Sequence, residues 1–525
     1  MNSRHTLIAG VFVLALGGAT PTWSQPVTIA NAPNPPADAV AIPAGSRERA
    51  VQELPRVVAE IMKRSQVPGM AVAVVIDGKT VLTQGYGTRE VGKQAPVDAH
   101  TVFQIASISK SLSATVAAIE VSQGKAAWDD PVSRYLPDFK LGNAYVSEHA
   151  TIGDYFAHRS GLPGTAGDDL EDLGFSRNEV LARLRLLPLD AFRTSYHYAN
   201  FSTTIGAEAV AKAAGRPWEA LADEQLFKPL GMKSTSYRYR DFEAHTNRAV
   251  LHAYQNGRFV PAGQRDADQQ APAGGVSSTV VDLAEWLKLL LADGQYQGKA
   301  MISPAALLPA LSPQAFSARA HDLDSRSGFY GYGFNVNTEL GGRPSMGHSG
   351  AFLMGTGTTF RIVPSAGIGI VVLTNGAPVG AAESVAASFI DTALYGKPTR
   401  DWFAAYNGAM KAFFEPQADL SGQADPARPA APQALSQYTG RFDNPYYGPA
   451  EIQEANGALT LVLGPKGMRF PMRHWDGDTF AFSPAGEAEL VASLASLSFG
   501  KSQGQVQDFD IKFYGDNGLG RWTRK

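Results

Sequence analysis

A chain of 525 residues with 44% hydrophobic content is long enough to bury substantial cores and to divide into more than one domain. Its net charge of -3, with Lys and Arg scattered among similar numbers of acids, lacks the electrostatic footprint of a nucleic-acid binder. The absence of cysteine excludes disulfides, thiol nucleophiles and thiolate metal sites together, leaving oxygen and nitrogen chemistry.

Met1-Asn-Ser-Arg-His5 leads into an apolar run from Leu7 to Ala19 that is too brief for a confident membrane span. Residues 1–24 therefore read as a secretory signal peptide cut after Ser24, although an uncleaved segment would leave an anchor. Residues 25–48, rich in Ala and Pro, read as a linker. A helix is expected from about Arg47 to Gln66, then a hairpin of two β-rich runs within Met70–Gly87, turning at Asp77-Gly78.

Phe103-Gln-Ile-Ala-Ser-Ile-Ser-Lys110 opens the next helix, and Ser107 and Lys110, three apart, share one face of it near its start. A serine is a poor nucleophile until a neighbouring base takes its proton, and a lysine can do so where a dry site makes it give up its own. The helix start adds backbone N–H groups for a developing oxyanion. Ser-x-x-Lys alone is a weak signal, so partners must be found elsewhere. A helix over Thr151–Ala157 ends in His158-Arg-Ser-Gly-Leu-Pro163; His158, beside a helix end and a Gly turn, reads as a structural residue bonded to a backbone carbonyl and is left out of the site.

Tyr196-His-Tyr-Ala-Asn-Phe-Ser202 precedes a helix over Thr203–Ala214 and puts Tyr198 and Asn200 on a loop before it. A phenol normally loses its proton near ~10, and flanking cations could lower that enough for exchange with a serine, while Asn200 offers a donor and an acceptor to an amide-like substrate. Packing of a tyrosine pair is the competing explanation. Pro272-Ala-Gly-Gly-Val-Ser-Ser-Thr279 reads as a Gly turn, with Ser278 or Thr279 capping a helix to Leu287, and this whole stretch would shape the pocket wall. Tyr330–Val336 resembles a strand, Ser345-Met-Gly-His-Ser-Gly-Ala351 starts a Gly- and Thr-rich run, and strands are expected at 356–363 and 367–374. At a strand edge His348-Ser-Gly350 can present backbone N–H groups while the imidazole adds charge or a hydrogen bond. Gly347-His-Ser-Gly-Ala351 nearly spells a nucleophile elbow with Ser349 as attacker, but strand-like residues follow where an elbow needs a helix.

Ser107-Ile-Ser-Lys110, Tyr198-Ala-Asn200 and His348-Ser-Gly350 in this order, with Gly274-Gly275 before the last, resemble the class C β-lactamase family and its relatives. Those relatives include D-aminopeptidases, DD-peptidase-like penicillin-binding proteins and family VIII esterases. Lys228-Pro-Leu-Gly-Met-Lys233 and Pro272-Ala-Gly-Gly275 are further family-like phrases, and the resemblance covers residues 49–399. It implies an α+β fold: an antiparallel sheet built from both ends of the domain, flanked by helices, with an all-helical region. It also implies Ser107 as the acylated nucleophile and Lys110 with Tyr198 as proton carriers, the base between them left open. Asn200, Ser349 and Gly350 would bind substrate, His348 would act in the site, and the N–H groups of Ser107 and Ala351 would form the oxyanion hole. This chemistry needs no cofactor and no metal.

The commonest third motif in β-lactamases begins with Lys, and here it begins with His348. An imidazole that titrates near ~6.5 would lose its charge through neutral pH, so activity on anionic substrates should fall more steeply than on neutral ones as pH rises through ~6 to 8. His-x-Gly versions occur in relatives that cleave peptides or esters, which favours a peptidase over an antibiotic-resistance enzyme.

Residues 400–433 read as a helix, Asp401–Phe414, followed by a second Pro/Ala linker. From 434 to 525 short β-rich runs alternate with tight turns at Asn456-Gly457 and Asp476-Gly477, the pattern of a small antiparallel barrel. Tyr438–Tyr447 resembles the start of the lipocalin-like domain attached to some relatives, which could cover the site, bind substrate or make a homo-oligomer. Two classes of function stay open: a secreted or periplasmic bacterial serine hydrolase acting on a small peptide, ester or β-lactam, with short, D-residue-containing or linearised cyclic peptides favoured, and a penicillin-binding sensor that is acylated without turning over. A sensor usually needs a transmembrane link, and this chain offers only its N-terminal apolar run.

Overall fold

The computed structural model describes residues 36–525; the signal-peptide reading of residues 1–24 lies outside them. Helix α1 (Ser46–Ser65) places Ala50, Leu54, Val58 and Ile61 on one buried stripe, the spacing that one helical face requires. Ser46 Oγ donates to the Ala393 carbonyl at 2.7 Å and Val40 N–H to Gly341 at 2.8 Å, so the end of the N-terminal segment read as linker is tied to the body. Strands β1 (Gly69–Ile76) and β2 (Lys79–Gly87) form the expected hairpin, with Asp77 and Gly78 both at positive φ as a two-residue turn demands. Helices α2 (Ile108–Ser122), α3 (Ile152–Phe156), α4 (Asp168–Asp172), α5 (Asn200–Ala214) and α6 (Val280–Leu291) belong to the helical middle of the chain.

Strands β3 (Ala315–Ala318), β4 (Gly328–Tyr330), β5 (Asn335–Thr338), β6 (Pro344–Phe352), β7 (Thr356–Val363) and β8 (Ile368–Thr374) complete the sheet, and α7 (Ala381–Tyr395) backs it. The order is β2-β1-β8-β7-β6-β5-β4-β3, and β1 pairs antiparallel with β8, Met70 opposite Thr374, so the two ends of the domain meet as expected. β1 is buried on both faces. Met70, Val72 and Val74 join a core with Leu54 and Val58 of α1 and Ile390 of α7, while Ala71, Ala73 and Val75 join the larger core that holds Leu283 and Leu287 of α6 and most of α2. The run Tyr330–Val336 is not one strand: Gly333, at φ 77°, turns the chain between β4 and β5.

The tail forms a closed antiparallel barrel of eight strands between Gly440 and Arg524, filled by Tyr438, Phe442, Phe480, Phe499, Phe509 and Trp522. The stretch read as a second linker is partly barrel scaffold, because Leu420 packs on Trp475 and Ala481, and Asp419 accepts from the Ser496 N–H at 3.0 Å. The barrel also touches the body beside α4: Tyr447 donates to Asp169 Oδ2 at 2.5 Å, and Glu487 accepts from the Leu353 N–H at 2.7 Å.

Candidate active site

Ser107 is delivered by a short ladder and a strained turn. Phe103 and Gln104 pair with Ser278 and Ser277, Ile105 N–H donates to the Val276 carbonyl at 2.9 Å, and Ala106 then enters the left-handed region at φ 47°. A non-glycine there costs about 1–3 kcal/mol and persists only where its surroundings over-determine it. They do: the Ala106 carbonyl accepts from both Ser109 N–H (2.9 Å) and Ser109 Oγ (2.6 Å), and that hydroxyl accepts from Val276 N–H. Ser107 thus stands at the N-cap of α2, and Ser109 serves only the scaffold.

One turn on, Lys110 is fully buried. Its Nζ lies 3.1 Å from Ser107 Oγ, 2.7 Å from Asn200 Oδ1 and 3.0 Å from the Ala273 carbonyl. Two of these partners are fixed acceptors and the third is a hydroxyl that can donate. A charged ammonium can donate to all three, and a neutral amine keeps its two hydrogens on Asn200 and Ala273 and turns its lone pair toward the Ser107 hydroxyl. Burial lowers the Lys110 pKa to about 7, against a smaller opposing pull from the Asp168 charge.

The opposite wall is aromatic. Lys110 Nζ sits 4.5 Å from the Tyr198 ring centre, and Tyr198 packs against His158 (4.6 Å), His348 (6.2 Å) and Tyr330 (6.4 Å). Burial drives the Tyr198 phenol well above its ordinary pKa, outweighing a lowering contact with the Ser107 side chain. The expected lowering by cations is therefore reversed, because desolvation of the phenolate dominates. His348 departs from expectation in the same way. Its Nδ1 meets the Ser349 carbonyl at 2.6 Å, so it carries the hydrogen, and Nε2 accepts from the Tyr330 hydroxyl at 2.9 Å. Burial, reinforced by the Lys110 charge, depresses its pKa to about 3. His348 is neutral throughout the neutral range, which removes both the charge and the pH 6 to 8 titration expected from sequence.

Asn200 lies in the first turn of α5 rather than on a preceding loop, because the helix starts three residues before the expected Thr203. Its amide is occupied at both ends, Oδ1 by Lys110 and Nδ2 by Asp168 Oδ2 at 3.0 Å. β6 supplies the third side of the site. β5 pairs with it only from Pro344 to Gly347, so the half carrying His348 to Phe352 keeps an open edge. A Cβ at Gly350 would sit 2.2 Å from the Ile105 carbonyl and 3.0 Å from Ser107 N, which is why only glycine lets the strand run so close to the nucleophile. Side chains alternate along β6, and Ser349 falls on the far face, its hydroxyl donating to Thr359 Oγ1 at 3.1 Å and touching Glu383 of α7. The Ser349 side chain is therefore removed from the expected substrate contacts, and with no helix following it the nucleophile elbow is absent.

The structure brings Ser107, Lys110, Tyr198, Asn200, His348 and Gly350 together, with Ala351 one residue further along β6. Sequence reading left four groups out of the site. His158 lies under Tyr198 and accepts from the Ala199 N–H at 3.3 Å, a backbone amide rather than the expected carbonyl. Tyr330 bridges the aromatic wall to His348. The Ala273 carbonyl belongs to the Pro-Ala-Gly-Gly turn, so within the stretch expected to shape the pocket wall it is the turn that reaches Lys110, while helix α6 packs in the core. Asp168 carried no signal at all. Among the described residues no His, Asp and Glu side chains converge into a group able to hold a metal, and no helix is long and apolar enough to cross a membrane.

A helix-flanked antiparallel sheet with a half-buried serine bonded to a buried lysine beside it defines a serine hydrolase of the β-lactamase and transpeptidase type. The family model described as Beta-lactamase matches residues 54–394, and the chain belongs to that family. A second model, described as a domain of unknown function (DUF3471), matches residues 424–517. The chain is similar to unguisins hydrolase ungD' of Aspergillus campestris, 26% identical over 420 residues, 75% of this chain and 76% of the relative. It is likewise similar to the D-alanyl-D-alanine-carboxypeptidase/endopeptidase AmpH of Escherichia coli K12, 26% identical over 326 residues, 60% of this chain and 81% of the relative. The octameric penicillin-binding protein homologue from Pyrococcus abyssi shares the fold, with a TM-score of 0.58 at 20% identity over 90% of this chain and 100% of its own.

Proposed function

We propose that the protein cleaves amide bonds of short peptides through an acyl-enzyme on Ser107, with Lys110 as the base and Tyr198 as the acid. The observation that carries this reading is the place of Lys110, buried with its Nζ 3.1 Å from Ser107 Oγ and with Asn200 and Ala273 to accept the two hydrogens that a neutral amine keeps. Lys110 takes the Ser107 proton as Oγ bonds to the substrate carbonyl carbon, and the oxyanion is met by the N–H groups of Ser107 and Ala351. Tyr198, which keeps its proton because it is buried, supplies one to the departing nitrogen. The proton held by Lys110 then restores the Tyr198 phenol, and water, giving a proton to Lys110, attacks the ester carbon; Lys110 returns that proton to Ser107 Oγ as it leaves, so the acid and free Ser107 are released.

Substrate class rests on charge. A neutral His348 gives the site no fixed cation for a β-lactam carboxylate, which favours neutral amides, and two of the relatives are named as an unguisins hydrolase and a D-alanyl-D-alanine-carboxypeptidase/endopeptidase. Short, D-residue-containing or linearised cyclic peptides are the proposed substrates, and secretion through residues 1–24 places the enzyme outside the cytoplasm. The test is a matched panel of a short-chain aryl ester, D- and L-aminoacyl anilides, short peptides and a chromogenic cephalosporin, run on wild type and Ser107→Ala. Peptide or anilide turnover that dominates and falls by about 10⁴-fold or more in the variant supports the reading. Fastest turnover of the cephalosporin makes the protein a β-lactamase, and labelling without turnover makes it a sensor.

A further inference from the structure

An amide has a direction, and at Asn200 the direction decides what Lys110 sees. As placed, Oδ1 accepts from Lys110 Nζ at 2.7 Å and Nδ2 donates to Asp168 Oδ2 at 3.0 Å. Rotated by half a turn the side chain fills the same volume but aims two N–H groups at the lysine and an oxygen at the carboxyl, donor against donor and acceptor against acceptor. Shape does not separate the two orientations. Only the partners do, and of the two partners Lys110 is the one that must change protonation state, so it cannot hold the amide alone.

Resting on the Ser107–Lys110 reading above, we propose that Asp168 is a positioning residue for the base: it holds the Asn200 amide in the orientation that gives Lys110 an acceptor, and the C-terminal barrel holds Asp168 in place. The second half follows from the neighbours. Helix α4 is five residues long, too short to persist without tertiary support. Its next residue, Asp169, accepts from Tyr447 at 2.5 Å and Tyr446 at 3.4 Å, both barrel residues, and Glu171 pairs with Arg265 at 3.0 Å. Asp168 Oδ1 is buried and has no hydrogen-bond partner, and burial beside Glu171 and Asp172 pushes the carboxyl well above the usual range. A proton resting on that oxygen leaves Oδ2 free to accept from Asn200, so the lock works in either protonation state.

Wild type, Ser107→Ala, Asp168→Asn and Asp168→Ala of the full chain separate this role from a structural one. Asp168→Asn keeps an acceptor in place and should retain kcat within about threefold, whereas Asp168→Ala should lose kcat by about tenfold to a hundredfold, with KM moving less than about threefold. An Asn variant as impaired as the Ala variant, or an Ala variant with wild-type kcat, overturns the proposal. Neutron diffraction of the deuterated Ala variant reads the lock without turnover: the Asn200 deuterons should turn toward Lys110 or split between two orientations, and a single unchanged orientation overturns it. If Ser107→Ala keeps full activity, the hydrolase reading fails, and the diffraction result still decides the role of Asp168.

Discussion

Loss of water does opposite things on the two walls of the cleft. On one, Lys110 is surrounded by Ser107, Asn200 and Ala273, and burial lowers its pKa to about 7, where an amine can work as a base. On the other, the same loss of water raises the phenols of Tyr198 and Tyr330 and lowers the imidazoles of His158 and His348, so every group there stays neutral. Desolvation always disfavours the charged form; what it does to function depends on which form the chemistry needs. A neutral lysine is an activated base, a neutral tyrosine is a proton donor, and a neutral histidine is a hydrogen-bonding spacer.

That contrast breaks most visibly at Lys110. Lys110→Met keeps the bulk and removes the base, and should cut kcat/KM by about 10³-fold on every substrate that wild type turns over, measured by steady-state kinetics. A loss below about tenfold would move the base to the aromatic wall. Tyr198→Phe sharpens the comparison, because an acid matters only as much as its leaving group needs a proton. The variant should lose about 10²-fold on an aminoacyl anilide but under about tenfold on an aryl ester of the same acyl group. Equal losses would mean that Tyr198 works on the Ser107 proton instead. Smallest is His348→Gln, which keeps a hydrogen-bonding side chain beside Tyr330; kcat/KM should change by less than about threefold, on anionic and neutral esters alike, because no charge is removed.

Much of this architecture was legible in the sequence because it is local. The Asp77-Gly78 turn, the run from Ser107 into α2, the Thr279 cap on α6 and the even spacing of the barrel strands each depend on a few adjacent residues. The meeting of β1 with β8 was not local and was expected only because the resemblance to the family implied a sheet built from both ends of the domain. What stayed hidden is what burial does across long separations. His348 looked like a titrating cation until Tyr330 and the Ser349 carbonyl took its two nitrogens, and Ser349 looked like a substrate contact until the strand's alternation turned it toward Thr359. Asp168 is 32 residues from Asn200, in a stretch that carried no signal in the sequence, and its importance exists only once α4 is folded beneath the barrel.

The most direct test of the central claim is the pH dependence of kcat/KM for one neutral aryl ester, in wild type and His348→Gln side by side. Only the neutral lysine can take the serine proton, and its depressed pKa makes that form accumulate as pH rises through about 7. The account predicts a single rising limb near pH 7 that levels off above it and is the same in both proteins. A limb that shifts or vanishes in His348→Gln, or a rate that falls through neutral pH without first rising, would contradict it.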